Sequence, residues 1–391
     1  RIEFSKHGGR VNTDFIDNSA GVDCSDHEVN IKIALFAALK AGKISLEERD
    51  RLLESMTQEI EALVLADNYK QTEALTILRH SIIYNPGMFA QLMNSLEQEH
   101  LLNRDVEFLP SESEYSMRIG ADERLTRPEL AVLLSYSKMS VYNELLTSSI
   151  PGDSSLSSLL FDYFPATMRQ KFENEISSHH LRNNIILTSI TNKIVNQLGG
   201  PVIQHIKSET GAKLCDIVRA YILVCNVFDV DQLWAEVQKL AKTVDFKTQI
   251  DLFSEIIKLI RRGISWFLRN LQSPIDIYST TNYYGGSIKR LCGIISGLIL
   301  GDAKVKMEEK IAAYTNSSVP EDFAAKVAIL DSGISTLDIF LISSSSSVDV
   351  AKVAAIYFRV ADYFKIDWMR KSVEKQITDS YWNRMSIQAI K

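Results

Sequence analysis

The chain has 391 residues, enough for two or three domains at about 150 residues each. It is 46% apolar and 24% charged, which excludes general disorder. Only 17 glycines and 8 prolines fall in that length, which predicts long helices and argues against a many-turned β architecture. The net charge of −6 excludes a general nucleic-acid binder, which would carry a basic excess.

Residues 11–17 (VNTDFID) alternate apolar and polar side chains as a strand does, then meet the small-residue turn Asn18-Ser19-Ala20-Gly21. A helix start follows, because Ser25 and Glu28 have the spacing of a capping box, as do Ser45 and Glu48. The second box opens a helix with Leu52, Leu53, Met56, Ile60, Leu63 and Val64 on one face. Residues 108–120, with Pro110 near their start, read as an acidic irregular connector. Thr126-Arg127-Pro128-Glu129 is a third box with proline in the first turn, opening a helix over 130–146. Residues 148–158, holding Pro151-Gly152 and many serines, read as a linker. Pro165 starts a helix with Met168, Phe172 and Ile176, and another runs over 181–198 to a stop at Gly199-Gly200-Pro201. Helices are then predicted over 202–209, 212–227, 230–242 and 245–271. After a loop over 273–286, more are predicted over 287–300, 303–315, 320–331, 334–342, 347–364 and 367–380. The fold class is therefore mainly α, with helix for well over half the residues.

Cys24, Cys215, Cys225 and Cys292 lie far apart without metal-ligand spacing, so reduced thiols in a cytoplasmic protein are expected. The longest apolar run, residues 291–300, is too short to cross a bilayer and reads as a buried helix, so no membrane partner is expected. The first residue is Arg1 rather than Met, and the expectation is a piece of a longer polypeptide.

The sharpest segment is residues 18–30, NSAGVDCSDHEVN. A turn of small residues lets backbone approach a ligand, and a helix N-terminus favours an anion. Ser25 either offers its hydroxyl to a substrate carboxylate or caps the helix, and the residues alone favour capping. Residues 13–25 look like the amino-acid dehydrogenase segment P-D-x-x-x-N-A-G-G-V-x-x-S. The longer string NTDFIDNSAGVDCSDHEVNIKI closely resembles the large NAD-specific glutamate dehydrogenases of bacteria. Residues 125–134 (LTRPELAVLL) with Tyr136-Ser137-Lys138 resemble the helical C-terminal region of that family. So do Tyr163-Phe164-Pro165, His180-Leu181-Arg182, Thr210-Gly211-Ala212, residues 216–221 (DIVRAY) and residues 266–270 (WFLRN).

The resemblance implies oxidative deamination of L-glutamate to 2-oxoglutarate with NAD as cofactor. It implies that Asn18 stands beside the nicotinamide, that Val22 lines the glutamate side-chain pocket and that Ser25 bonds the distal carboxylate. It also implies a catalytic lysine and aspartate upstream of Arg1. No GxGxxG follows a strand in this chain, so it is expected to hold one wall of an active site, no metal and no catalytic group, and to be inactive alone. The implied partners are the upstream catalytic region of the same polypeptide and further copies in a homo-oligomer. Ser19-Ala20 departs from the Ala-Gly of smaller dehydrogenases, and Asp23 puts an anion near a dicarboxylate site. Asn183, Asn184, Gln197 and Ser265 stand where the large family has charged residues.

On this reading residues 1–40 are the C-terminal edge of the catalytic α/β domain, its last strand, turn and helix. Residues 41–150 form a helical subdomain and 151–391 a helical C-terminal domain. The alternative is a non-catalytic helical scaffold or regulatory module that keeps the motif as a relic. Elsewhere the residues read as structural. His179-His180 cannot readily share an ion if both lie on a helix. The basic side of helix 245–271 would pair with acidic neighbours, and Gly293, Gly297 and Gly301 would let two core helices pack tightly. Tyr278, Tyr283 and Tyr284 would form a contact surface.

Overall fold

The computed structural model of the chain describes residues 1–366, 368, 369 and 372. It is mainly α, 78% helical, with no strand among the described residues. Two compact units are present, the first Arg1–Tyr221 with Phe267–Ile277, the second Ile222–Trp266 with the described residues from Tyr278 onward.

The first unit holds α1 (Ile2–Lys6), α2 (Asp14–Asp17), α3 (Ser19–Lys40), α4 (Leu46–Ser55), α5 (Thr57–His80), α6 (Pro86–Gln98), α7 (Glu112–Gly120) and α8 (Arg127–Leu146). α9 (Ser157–Tyr163), α10 (Ala166–Arg169), α11 (Glu173–Ser177) and α12 (Arg182–Thr210) follow. α12 is its centre, packed on α5, α6, α8 and α9, with Ile186, Ile190, Ile194 and Leu198 fully buried. The stop predicted at Gly199 is a kink: Gly199 takes φ 70 and ψ 153, and helix resumes beyond it. The Leu198 carbonyl freed by the kink accepts the Tyr84 hydroxyl at 2.9 Å. Gly200 allows α8 and α12 to meet, since a Cβ there would lie 1.9 Å from Ser137 Oγ. Gln197 and Asn184, expected as charged positions, are used for packing contacts, bonding Tyr221 (2.5 Å) and Tyr142 (2.8 Å) through their hydroxyls.

Three boxes of Ser or Thr with Glu cap α4, α7 and α8. The first and third are those predicted. The second, Ser111 with Glu114, opens a helix where an irregular connector was expected. At α8 the box is buried: Glu129 accepts from Thr126 N–H at 2.6 Å and Thr126 Oγ1 at 2.7 Å, and takes a two-point contact from Arg118 at 2.7 and 3.1 Å.

The predicted strand over residues 11–17 is instead extended chain followed by the single turn α2. Its alternation is short and the described residues hold no strand for it to pair with, so the backbone turns on itself, with Asp17 N–H bonded to Thr13 O. Arg1 fixes that turn through Asp14 and, at 2.9 Å each, through Asp17 and the Asn12 carbonyl.

In the second unit, α13 (Leu214–Val227), α14 (Val230–Lys239) and α15 (Phe246–Asn270) are followed by α16 (Ile277–Ile294), α17 (Gly301–Asn316) and α18 (Glu321–Ala328). α19 (Leu330–Gly333), α20 (Ser335–Ser346) and α21 (Val350–Tyr363) complete it; α13, α15 and α16 begin or end in the first unit. The apolar stripe of α15 is buried at Phe253, Ile256, Ile257, Ile260 and Ile264. Its basic side pairs as expected, Arg262 with Asp331 at 2.6 Å and Lys258 with Glu255 at 2.8 Å.

Helix begins at Ile277, inside the predicted loop, and ends at Ile294, inside the run expected to be a buried helix. That run is only half buried, since Gly293, Ile294, Gly297 and Leu300 are exposed. A Cβ at Gly293 or Gly297 would meet nothing within 4 Å, so those two do not bring helices together, whereas Gly301, with φ 59 at the start of α17, is closely approached by α21, a Cβ there lying 2.0 Å from Asp362 Oδ1. Tyr284 is buried beside Phe340, while Tyr278 and Tyr283 stay exposed. The helix predicted over 367–380 lies, but for residues 368, 369 and 372, outside the described residues. No single helix among the described residues is long and apolar enough to cross a membrane, and the apolar pair α18 with Leu330–Ser346 is bent by 45°.

Candidate functional site

α3 is two-faced. At about 100° per residue, His27, Ile31, Ala34, Leu35 and Ala38 share one side and are buried. Asn18, Val22, Ser25, Val29 and Phe36 share the opposite side and are all exposed. Val22 is 69% exposed, Val29 51% and Phe36 61%, so this outward face is partly apolar. The three residues singled out from the sequence, Asn18, Val22 and Ser25, therefore line up along one stripe. Gly21 borders the stripe, and a Cβ there would meet nothing within 4 Å.

Ser25 is not a cap. α3 starts at Ser19, so Ser25 sits in mid-helix, where the N–H of Glu28 is already spent on the helix ladder. The predicted turn at residues 18–21 is the first turn of that helix, and Asn18 occupies the N-cap position without a side-chain cap bond.

The helix is fixed from behind. Asn68 of α5 donates to the Ile16 carbonyl (3.1 Å) and Ser19 Oγ (2.9 Å), holding the start of α3. Asn30 donates to the Tyr163 hydroxyl at 2.9 Å. His179, buried as its structural reading required, meets the Asn30 carbonyl through Nε2 at 3.1 Å and accepts Leu181 N–H at Nδ1 (3.0 Å). His179 lies in a turn after α11, not on a helix as assumed.

Asp23 and His27, one turn apart on the inward side of α3, face Asp67 of α5. One ligand atom from each lies within 4.8 Å of the other two. Burial, with the carboxylates of Asp67 and Asp26 nearby, raises Asp23 to about 6. Burial lowers His27, and it lowers Lys138 of α8 to about 8 against the pull of Asp67 and Asp23. The anion of Asp23 thus points away from the Val22–Ser25 stripe and not into it. The sequence singled out Asp23 only as an oddity and missed Asp67 and the buried His27; the i,i+4 spacing of Asp23 and His27 was the one available signal.

Two clefts in the first unit lie elsewhere, one bordered by Leu92, Glu99, Val141 and Gln204, the other by Tyr84, Tyr115 and Arg124. Neither includes Asn18, Val22 or Ser25. The stripe is an open wall.

The family model described as bacterial NAD-glutamate dehydrogenase, catalytic domain, matches residues 1–78, the part that contains α3. The model described as glutamate dehydrogenase, C-terminal, matches residues 122–391. The chain is 35% identical over its full length to a NAD-specific glutamate dehydrogenase of Pseudomonas aeruginosa and 34% identical to one of Mycobacterium tuberculosis. It is 30% identical over 98% of its length to one of Halomonas elongata. The chain spans 24% of the length of each of these relatives. A catalytic-domain match over α3 and a C-terminal match over the helices from α8 onward, in that order, place the chain in the family of bacterial NAD-specific glutamate dehydrogenases, as a C-terminal part.

Proposed function

We propose that the chain serves a NAD-dependent glutamate dehydrogenase, converting L-glutamate, NAD and water to 2-oxoglutarate, ammonium and NADH. The outward stripe of α3 would be one wall of its active site. The observation that carries this is the alignment of Asn18, Val22 and Ser25 on a single exposed face that nothing in the first unit covers. Ser25 Oγ would donate to the distal carboxylate, and Val22 would pack against the substrate's methylenes. Held in this way, the substrate Cα is oriented for the reaction, which is a positioning role rather than bond-making.

Only the nicotinamide end of NAD fits this chain: Asn18 offers an exposed carboxamide, and no Gly-rich phosphate loop accompanies it. NAD, when bound, supplies the hydride acceptor. The upstream region of the polypeptide would cover the stripe, bringing the dinucleotide fold and the lysine and aspartate that handle protons. Residues 1–40 are then the C-terminal edge of the catalytic domain, residues 41–150 a helical subdomain and 151–391 the C-terminal domain of a homo-oligomer. Four free thiols suit the reducing cytoplasm.

The test is glutamate-dependent NADH formation by the purified 391-residue chain and by the full-length protein. Activity in the full-length protein alone is expected; turnover by the isolated chain would contradict the division of labour. The scaffold alternative requires full-length activity to be indifferent to changes at Asn18, Val22 and Ser25.

A further inference from the structure

His27 is 1% exposed and neither ring nitrogen makes a hydrogen bond of normal geometry, the backbone of Tyr163 being the nearest polar group that acts on the ring. An unsatisfied buried polar group costs about 1–3 kcal/mol, so a folded chain that keeps one calls for an explanation. Asp23 Oδ1 stands 3.9 Å from His27 Nε2, too far for a hydrogen bond, and Asp23 Oδ2 is itself buried without a partner. Asp67 completes the group from α5, its Oδ1 held at 2.9 Å by Lys70. The His27 ring is stacked on Tyr163 at 4.2 Å between centroids and 18° between planes, which fixes its orientation.

We propose that Asp23, His27 and Asp67 bind one divalent transition-metal ion of the zinc class, which ties α3 to α5 behind the outward stripe. One imidazole and two carboxylates are borderline donors that suit such an ion, whereas Mg²⁺ and Ca²⁺ prefer all-oxygen cages. Spacing of i and i+4 on one helix with a third donor from a neighbouring helix converges three ligands on a point. Ligand atoms now within 4.8 Å of one another close by about an ångström to reach metal bonds of about 2.0–2.2 Å. Two carboxylates balance the ion's charge, and a water would take the fourth tetrahedral position. The ion satisfies a ring nitrogen that the protein leaves without a hydrogen bond of normal geometry, and it answers the negative charge that Asp23 and Asp67 concentrate. Lys70, bonded to Asp67, and Lys138, on α8, are the protein's own cations near the site, and binding would turn Lys70 away from the shared oxygen.

The experiment titrates Co²⁺ alone into the untagged, chelator-stripped 391-residue chain while visible d–d absorption and thermal melting are followed. One Co²⁺ per chain, a raised melting temperature and displacement by Zn²⁺ are expected. His27→Ala should abolish the band. Because a cavity at that site could unfold the chain, Asp67→Asn is the second variant: Asp67 is half-buried at the rim. It should fold and weaken Co²⁺ by more than the roughly 10–100-fold that outer-sphere changes cost. Absence of stoichiometric Co²⁺ in the unaltered chain, or equal binding by folded Asp67→Asn, would overturn the site.

Discussion

Val22 and His27, five residues apart on α3, point to opposite sides of the helix: Val22 is 69% exposed and His27 1%. The inward side, including His27, is fixed by α5, α9 and the turn at His179. The outward side presents the residues that match the dehydrogenase motif. On the proposed reading this outward face is one wall of an active site whose other walls come from elsewhere in the polypeptide.

Gly21 follows from that division. It is exposed in the first turn of α3, and no neighbour requires its missing Cβ. Glycine in a helix costs about 0.5–1 kcal/mol relative to alanine. Gly21→Ala should therefore stabilise the 391-residue chain by about that amount in urea melts, yet lower the activity of the full-length enzyme. A gain in stability without loss of activity would show that nothing approaches this face.

Glu129 gives a contrast between two boxes of the same pattern. It is 1% exposed and carries Arg118 as well as the cap of α8, whereas Glu48 lies exposed at α4. Glu129→Gln should cost about 3 kcal/mol, because it takes the two-point carboxylate from the Arg118 guanidinium and leaves it only the exposed Glu123 at 4.0 Å. Glu48→Gln should cost no more than about 1 kcal/mol. Urea denaturation of the two variants checks the order.

His179 sets a pH dependence. Burial holds it below the ordinary histidine range, with the His180 charge adding to that and the Asn30 carbonyl opposing. Its Nδ1 must stay unprotonated to accept Leu181 N–H. The unfolded chain thus takes up this proton first as pH falls. The histidine's contribution is intact above about 6.5 and is lost as pH drops through that value towards the lower folded one. His179→Gln should reduce stability at pH 7.5 and flatten its decline below pH 6.5, by up to about 1.4 kcal/mol per pH unit. An unchanged slope in chemical denaturation across pH 5–7.5 would contradict the assignment.

Much of this fold is legible locally. The boxes at Ser45 and Thr126 are read directly because cap, carboxylate and helix lie within four residues. Ser111-x-x-Glu114 has the same chemistry but was masked by Pro110 and its acidic surroundings. The same rule misreads Ser25, since only the start of α3 at Ser19 shows that Glu28 N–H is already used. The strand over residues 11–17 failed for a related reason: alternation over seven residues does not supply a pairing partner. The stripe of Asn18, Val22 and Ser25 follows from helical spacing once α3 is known to be a helix. The grouping of Asp67 with Asp23 and His27, some forty residues distant, depends on how α5 packs and has no sequence signature.

The central claim is that Ser25 faces the substrate. In the full-length enzyme Ser25→Ala is measured on L-glutamate and on norvaline, which lacks the distal carboxylate. A hydroxyl bonded to a carboxylate is worth about 1.5–3 kcal/mol, so kcat/KM on glutamate should fall roughly ten- to a hundred-fold while norvaline changes little. Since Ser25 is an exposed mid-helix residue and no cap, the melting temperature should hold or rise slightly. Equal losses on both substrates, or no loss on glutamate, would contradict a substrate-facing Ser25.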